Sequence, residues 1–111
     1  MADSITGSYR TTNIGVNVNA TERTNLGVFN DSSFSDANVT AEVYDNKGHL
    51  VETINFTVPG HGWAQKSISA QVSLGCIEWK TDTSIYAWTV VVDNQSNDGS
   101  LSFPTIYFPP D

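Results

Sequence analysis

The sequence predicts an all-β chain, a single antiparallel β-sandwich of immunoglobulin-like architecture with about eight short strands. Three observations carry that prediction. Apolar residues recur at every second position along most of the chain, and no window sustains them at i, i+3, i+4 and i+7. Turn signals made of Gly, Pro, Asn and Asp recur at intervals of roughly ten residues. The 111 residues suffice for one hydrophobic core and not for two. A small closed barrel is the competing architecture.

Residues 1–111 read as one domain, with 1–12 as a flexible N-terminal segment. Ile14, Val16 and Val18 alternate with Asn13, Asn17 and Asn19, the pattern of a half-buried strand. Thr24 to Asn30 sets Leu26 and Val28 against Asn25, Gly27 and Phe29. Asp31 to Asp36 is loop chemistry, because short polar side chains bond nearby backbone. From Ala37 to Tyr44, Val39, Ala41 and Val43 face inward and Thr40, Glu42 and Tyr44 outward. Asp45-Asn46-Lys47-Gly48 is a hairpin turn, since Asn and Gly tolerate positive φ. The return strand to Val58 points Ile54, Phe56 and Val58 inward.

Pro59-Gly60-His61-Gly62 is a second turn, because proline cannot donate to a sheet ladder. Trp63–Ile68 and Gly75–Lys80 read as strands, and Thr81–Ser84 turns the chain into Ile85–Asp93. That last run, IYAWTVVVD, is apolar at nearly every position, which predicts a central strand covered on both faces. One final strand spans Leu101 to Phe108, interrupted at Pro104.

Charged residues make up only 15% of the chain, so Asn, Ser, Thr and Gln must cover the surface. A net charge of −7 repels phosphate backbones and anionic headgroups, which argues against nucleic-acid partners and membrane insertion. No segment reaches the roughly 18 apolar residues of a bilayer span. The opening MADSITGS has neither a basic nor an apolar leader region, so no signal peptide is expected in it. Cys76 is the single cysteine and reads as a small buried thiol. Five Asn-x-Ser/Thr triplets, at Asn19, Asn30, Asn38, Asn55 and Asn94, suggest an exposed polar surface.

Four phrases recur in a recognisable order: Arg23-Thr-Asn-Leu-Gly-Val-Phe-Asn30, Ala37-Asn-Val-Thr-Ala-Glu-Val-Tyr-Asp45, Thr57-Val-Pro-Gly60 with Trp63 and Gln65, and Tyr86-Ala87 leading to Val91-Val-Asp-Asn94. Over about residues 23–103 this series resembles an uncharacterised class of bacterial, mostly secreted, immunoglobulin-like sandwich domains. That class carries an RTNLGLxN strand, a VTVxLYDxxG hairpin, a VPxGGW turn and a YASVVDNxxGDP segment. Here Asn97-Asp98-Gly99 replaces Gly-Asp-Pro, so the loop lacks the proline. A more distant similarity of layout is to the sensory rhodopsin transducer, a small β-sandwich that assembles as an oligomer. The resemblance implies a non-catalytic accessory or interaction module in an extracytoplasmic or secreted setting.

Candidate chemistry is sparse. His49 and His61 both sit beside glycine in turns, and no Gly-x-Ser-x-Gly appears. Most carboxylates fall in turns or at outward positions, where nothing is expected to shift their pKa. A transition-metal site would need His49, His61 and Cys76 to converge. Asn94, Ser96, Asp98 and Gly99 imitate the start of an EF-hand loop, but its twelfth position is Thr105 and its flanks are strands. Two readings of this stretch stay open. One is a calcium site of Asp93, Asp98 and loop carbonyls; the other is a hairpin in which Asn94 and Gly99 shape the turn. No other cofactor is expected.

The aromatic residues offer a binding surface. Phe29, Tyr44 and Trp63 share parity with polar neighbours, while Tyr86 and Trp88 share one side of their strand. Core burial is the ordinary fate of Trp88 and of Trp79, yet Trp79 also stands with Trp63, Tyr44 and Phe29 as a candidate ligand platform. Exposed aromatics on a sandwich serve subunit interfaces or stack on sugar rings. The expectation is therefore a non-enzymatic module that self-associates or binds a protein, through a sheet face or an edge strand. A carbohydrate-binding module is the alternative, and a small hydrolase or metal enzyme the third reading.

Overall fold

The period-two pattern becomes strand over most of its length, in a computed structural model that describes residues 10–96, 99–102 and 105–107. Among these residues there are nine strands and no helix: β1 Arg10–Val18, β2 Glu22–Asn30, β3 Ala37–Tyr44, β4 Leu50–Val58, β5 Trp63–Ser67, β6 Val72–Thr81, β7 Ile85–Asp93, β8 Gly99–Ser102 and β9 Thr105–Tyr107. They form two antiparallel sheets, ordered β4-β3-β6-β1-β9 and β5-β2-β7-β8. The chain is an antiparallel β-sandwich and not the closed barrel, since each sheet ends in two edge strands.

The core lies between the sheets. Leu26, Val28, Ile85 and Ala87 come from one; Val39, Ala41, Val43, Ile54, Phe56, Val58, Ile77 and Trp79 come from the other. Phe56 and Trp79 pack ring to ring, with centroids 6.3 Å apart. Burying such side chains stabilises the fold by about 1.5–3 kcal/mol each.

Four expectations change. The final strand is two, because β8 pairs with β7 and β9 pairs with β1, so the chain changes sheets between Ser102 and Thr105, while Pro104 lies outside the described residues. Residues 10–12 belong to β1 instead of a flexible segment, and Arg10, Thr11 and Thr12 pair with Tyr107, Ile106 and Thr105. The alternation read from Ile14 to Val18 crosses two register shifts against β6, a bulged pairing that strict parity cannot represent. Finally, β7 is central but covered on one side only: Ile85, Ala87 and Thr89 are buried, while Tyr86, Trp88 and Val90 are half-exposed.

Asp45 builds the predicted hairpin between β3 and β4. Its carbonyl accepts from Gly48 N–H at 3.1 Å, and its Oδ1 accepts from the Lys47 and His49 amides, each at 2.9 Å. Gly48 takes a φ of 86°, the left-handed conformation that closes such loops. These bonds, led by that from His49 N–H and helped by the nearby imidazole, hold the Asp45 carboxyl below its ordinary pKa against the opposing pull of burial.

Candidate functional site

Strand register assembles one surface from residues far apart in sequence. Directly opposed residues share a face, so pairing across β5, β2, β7 and β8 arranges the outer side of that sheet in rows. The first row is Trp63–Phe29–Tyr86, the second Gln65–Gly27–Trp88, the third Ser67–Asn25–Val90–Leu101. Phe29 and Tyr86 lie with ring centroids 6.3 Å apart and planes tilted by 36°. Trp63 is 66% exposed at one margin and Leu101 58% exposed at the other.

Gly27 explains how the middle row fits. A Cβ there would fall 2.0 Å from Trp88 Cε2, so the indole lies directly across the glycine. The missing side chain lets a large ring lie flat on the sheet. The polar groups of the patch are uncharged: Gln65, Asn25 and Ser67, with Ser67 Oγ donating to Asn25 Oδ1 at 2.6 Å.

The opposite face is made differently. On β4, β3 and β6, Thr57 Oγ1 donates to Asn38 Oδ1 at 3.3 Å, and Asn38 Nδ2 donates to Asp82 Oδ2 at 2.9 Å. Thr40 Oγ1 donates to Asn55 Oδ1 at 3.0 Å, and Lys80 pairs with Glu42 at 2.7 Å. The Asn38 side-chain and backbone bonds hold Asp82 below its ordinary carboxyl pKa, while bonding to Glu42 raises Lys80. The expectation that turn and surface carboxylates stay unshifted therefore fails at Asp45 and Asp82, where amide donors converge.

Edges are the other places where a sheet can recruit a partner, and here they are guarded. Lys66 pairs in register with the buried Leu26, so it points to the inner side of edge strand β5. Its ammonium sits 5.2 Å from the Phe56 ring centroid and donates to the Asn55 carbonyl of the neighbouring edge β4. Glu52 Oε1 accepts from the amides of Ser69 and Ala70 at 2.9 and 2.7 Å, fastening the β5–β6 connection beside β4. Inward charges and short edges discourage strand addition, and β8 and β9 have only four and three residues.

One buried asparagine organises the end of the sandwich beside the first aromatic row. Asn30 is fully buried; its Nδ2 donates to the carbonyls of Ser35 at 2.7 Å and Val58 at 2.9 Å, and its Oδ1 accepts from Ser32 N–H at 2.9 Å. Its backbone bonds Gly62 and His61, tying β2, the 31–36 loop and the 59–62 turn together. As a glycan acceptor Asn30 is thus ruled out by burial, unlike the exposed Asn19, Asn38, Asn55 and Asn94. Sequence gave no warning, because a buried, fully bonded Asn and a surface Asn look alike in a polar chain. Phe34, 97% exposed, stands on this pinned loop.

The calcium reading meets a turn. Asp93 Oδ1 accepts from the amides of Gln95 at 2.8 Å and Ser96 at 3.2 Å. Asn94 N–H donates to the Thr21 carbonyl at 2.7 Å, and Asn94 Oδ1 accepts from Arg23 at 2.6 Å. Asp98 lies outside the described residues, while Gly99 opens β8 opposite Val92. Among the described residues no group of three or more His, Cys, Asp or Glu side chains is placed to hold a metal.

His49, His61 and Cys76 do not converge. The histidines flank opposite ends of β4, whose nine residues extend about 30 Å. Cys76 is half-buried and not fully buried; it lines a shallow depression with Tyr44, Gly48 and Glu78 on the polar face. Desolvation and the Glu78 charge raise its pKa, which suppresses the nucleophilic thiolate.

The four-residue aromatic platform separates into three places. Trp63 and Phe29 share the outer row, Tyr44 lies on the opposite outer face, and Trp79 is fully buried against Phe56. Trp79 is a core residue because it falls in phase with Ile77 on β6. In its stead the surface gains Tyr86 and Trp88, the latter expected in the core. Their shared parity and a mid-strand glycine on the partner strand were the available signals.

No family model matches the chain, and no curated protein matches it. Among solved structures it is similar to one titled the crystal structure of Thermotoga maritima 1070, with a TM-score of 0.67 over 95% of this chain and 97% of that one. The two are 12% identical, so the likeness shows the shared fold alone.

Proposed function

We propose that this chain is a non-catalytic interaction module, an immunoglobulin-like sandwich working in an extracytoplasmic setting, and that it binds through the outer face of the β5-β2-β7-β8 sheet. One observation supports the reading above others: three adjacent rows on that face contain aromatic, aliphatic and amide side chains and no charge, in a chain of net charge −7. Contiguous exposed patches of this kind are often functional. Aromatic enrichment with depletion of charge is the compositional mark of a contact surface. The guarded edges favour the face over strand addition.

Tryptophan emission tests this directly, because Trp63 and Trp88 both report on the face. Emission is recorded over a wide range of protein concentration, and again with added neutral polysaccharides. At least one series should shift the emission of the unmodified chain to shorter wavelength and leave Trp63→Ala unshifted. If neither series moves the unmodified chain, the face is not a binding surface.

A further inference from the structure

Resting on that reading, we propose that the occupant of the aromatic face is a neutral polysaccharide chain lying across the strands, and not a second copy of this protein. Size is the first reason. Three rows across four strands supply ten side-chain positions. Stable protein pairs use about 20–30 residues on each partner, so the uncharged patch covers at most half of what a dimer needs. A linear chain of a few sugar rings, by contrast, is matched to a strip of this width.

Chemistry is the second reason. The apolar C–H face of a pyranose ring stacks on a flat aromatic side chain, and its hydroxyls need donors and acceptors beside that ring. Trp63, Phe29 and Tyr86 form a continuous strip over three neighbouring strands. Trp88, laid flat over Gly27, extends the aromatic surface into the next row. Gln65, Asn25 and Ser67 bring amide and hydroxyl groups to its border. These side chains both donate and accept, as sugar hydroxyls require.

Charge is the third. A protein of net charge −7 repels acidic polysaccharides at a distance; the patch holds no cation among its three rows, and Arg23 in the adjoining row is bonded to Asn94. Neutral glycans meet no such barrier. The net charge of −7 also opposes the approach of a second, equally acidic copy.

The experiment uses the full chain in native affinity gels containing xyloglucan, amylose, laminarin or galactomannan, with polygalacturonate as the acidic counterpart. Light scattering at several concentrations runs in parallel. The unmodified chain should be retarded by at least one neutral glycan and not by polygalacturonate. Trp63→Ala and Gln65→Ala should weaken that retardation, Trp63→Ala by roughly tenfold or more as for a stacking anchor. Tyr44→Ala, on the opposite face, should leave it unchanged. Unaltered thermal unfolding of Trp63→Ala will show that its loss is local. Absence of retardation in all four neutral gels overturns the proposal, as does retardation that Trp63→Ala does not reduce. A dimer that Trp63→Ala dissociates also overturns it, while leaving the face as the binding surface; no dimer and no retardation defeats both.

Discussion

The two outer faces of this sandwich solve one problem, the exposed half of a strand, with opposite chemistry. On β4-β3-β6 the outward side chains bond one another across the strands: Thr57 to Asn38, Asn38 to Asp82, Thr40 to Asn55, and Lys80 to Glu42. These groups satisfy one another where they stand. On β5-β2-β7-β8 the outward side chains are large rings and amides, most of them turned toward water. Burial of the ordinary kind cannot explain Trp63 there, since 66% of it stays exposed. A surface whose polar groups are mutually paired gains little from a partner. A surface of half-exposed rings gains hydrophobic contact area when covered.

Two tryptophans give the sharpest contrast. Trp79→Ala removes a fully buried ring packed on Phe56 and should cost about 3–5 kcal/mol. Trp63→Ala removes a ring from the surface and should stay within about 0.5 kcal/mol. Urea unfolding of both variants checks the pair. If Trp63→Ala cost as much as Trp79→Ala, the aromatic face would be structural and the contrast with the polar face would fail.

Gly27 provides the next largest effect. Gly27→Ala puts a methyl where Trp88 lies, so the indole must lift or the strands must part. The expected cost is about 1–3 kcal/mol, typical of overpacking. Trp88 emission should shift to longer wavelength as the ring leaves the sheet. Thr40→Ala, an equally central position on the polar face, should cost less than about 0.5 kcal/mol. A Gly27→Ala chain as stable as the parent, with unchanged emission, would show that the indole does not depend on the glycine.

Most of the fold was legible because alternation survives in β2, β3 and β4, where most inward residues are aliphatic or aromatic and most outward ones polar. It failed where geometry departs from a regular ladder. The bulges of β1 shift its register, and the break before β9 sends the chain to the other sheet; neither changes the hydrophobic pattern itself. The aromatic face was half legible. Phe29 and Trp63 could be turned outward by parity, but their neighbours Tyr86 and Trp88 depend on the pairing of β2 with β7 across some sixty residues. Apolar residues at nearly every position of Ile85–Val92 concealed which side met water. Asn30 was beyond reach for another reason: beside its local bonds to Ser32 and Ser35 it holds the Val58 carbonyl, a partner that only the folded chain brings near.

Acid should separate the two sheets most gently. Asp82 and Asp45 belong to the ends of the polar sheet, and amide donors depress both pKa values. A depressed carboxyl contributes stability that is present above its unfolded pKa, near 4, and is lost as pH falls through the lower folded value. The Asp82–Asn38 bonds should therefore support the fold at pH 5–7 and fade below about pH 4. Asp82→Ala should lower the unfolding midpoint at pH 7 by on the order of 1–2 °C, a small effect because the site is exposed and screened. At pH 2 the midpoints of parent and variant should converge, as protonation has already weakened the bonds that the substitution deletes. Tryptophan emission from the aromatic face should stay constant between pH 7 and 4, because its three rows carry no carboxylate. A shift in that emission over the same range would couple the faces through the core and end their treatment as independent surfaces.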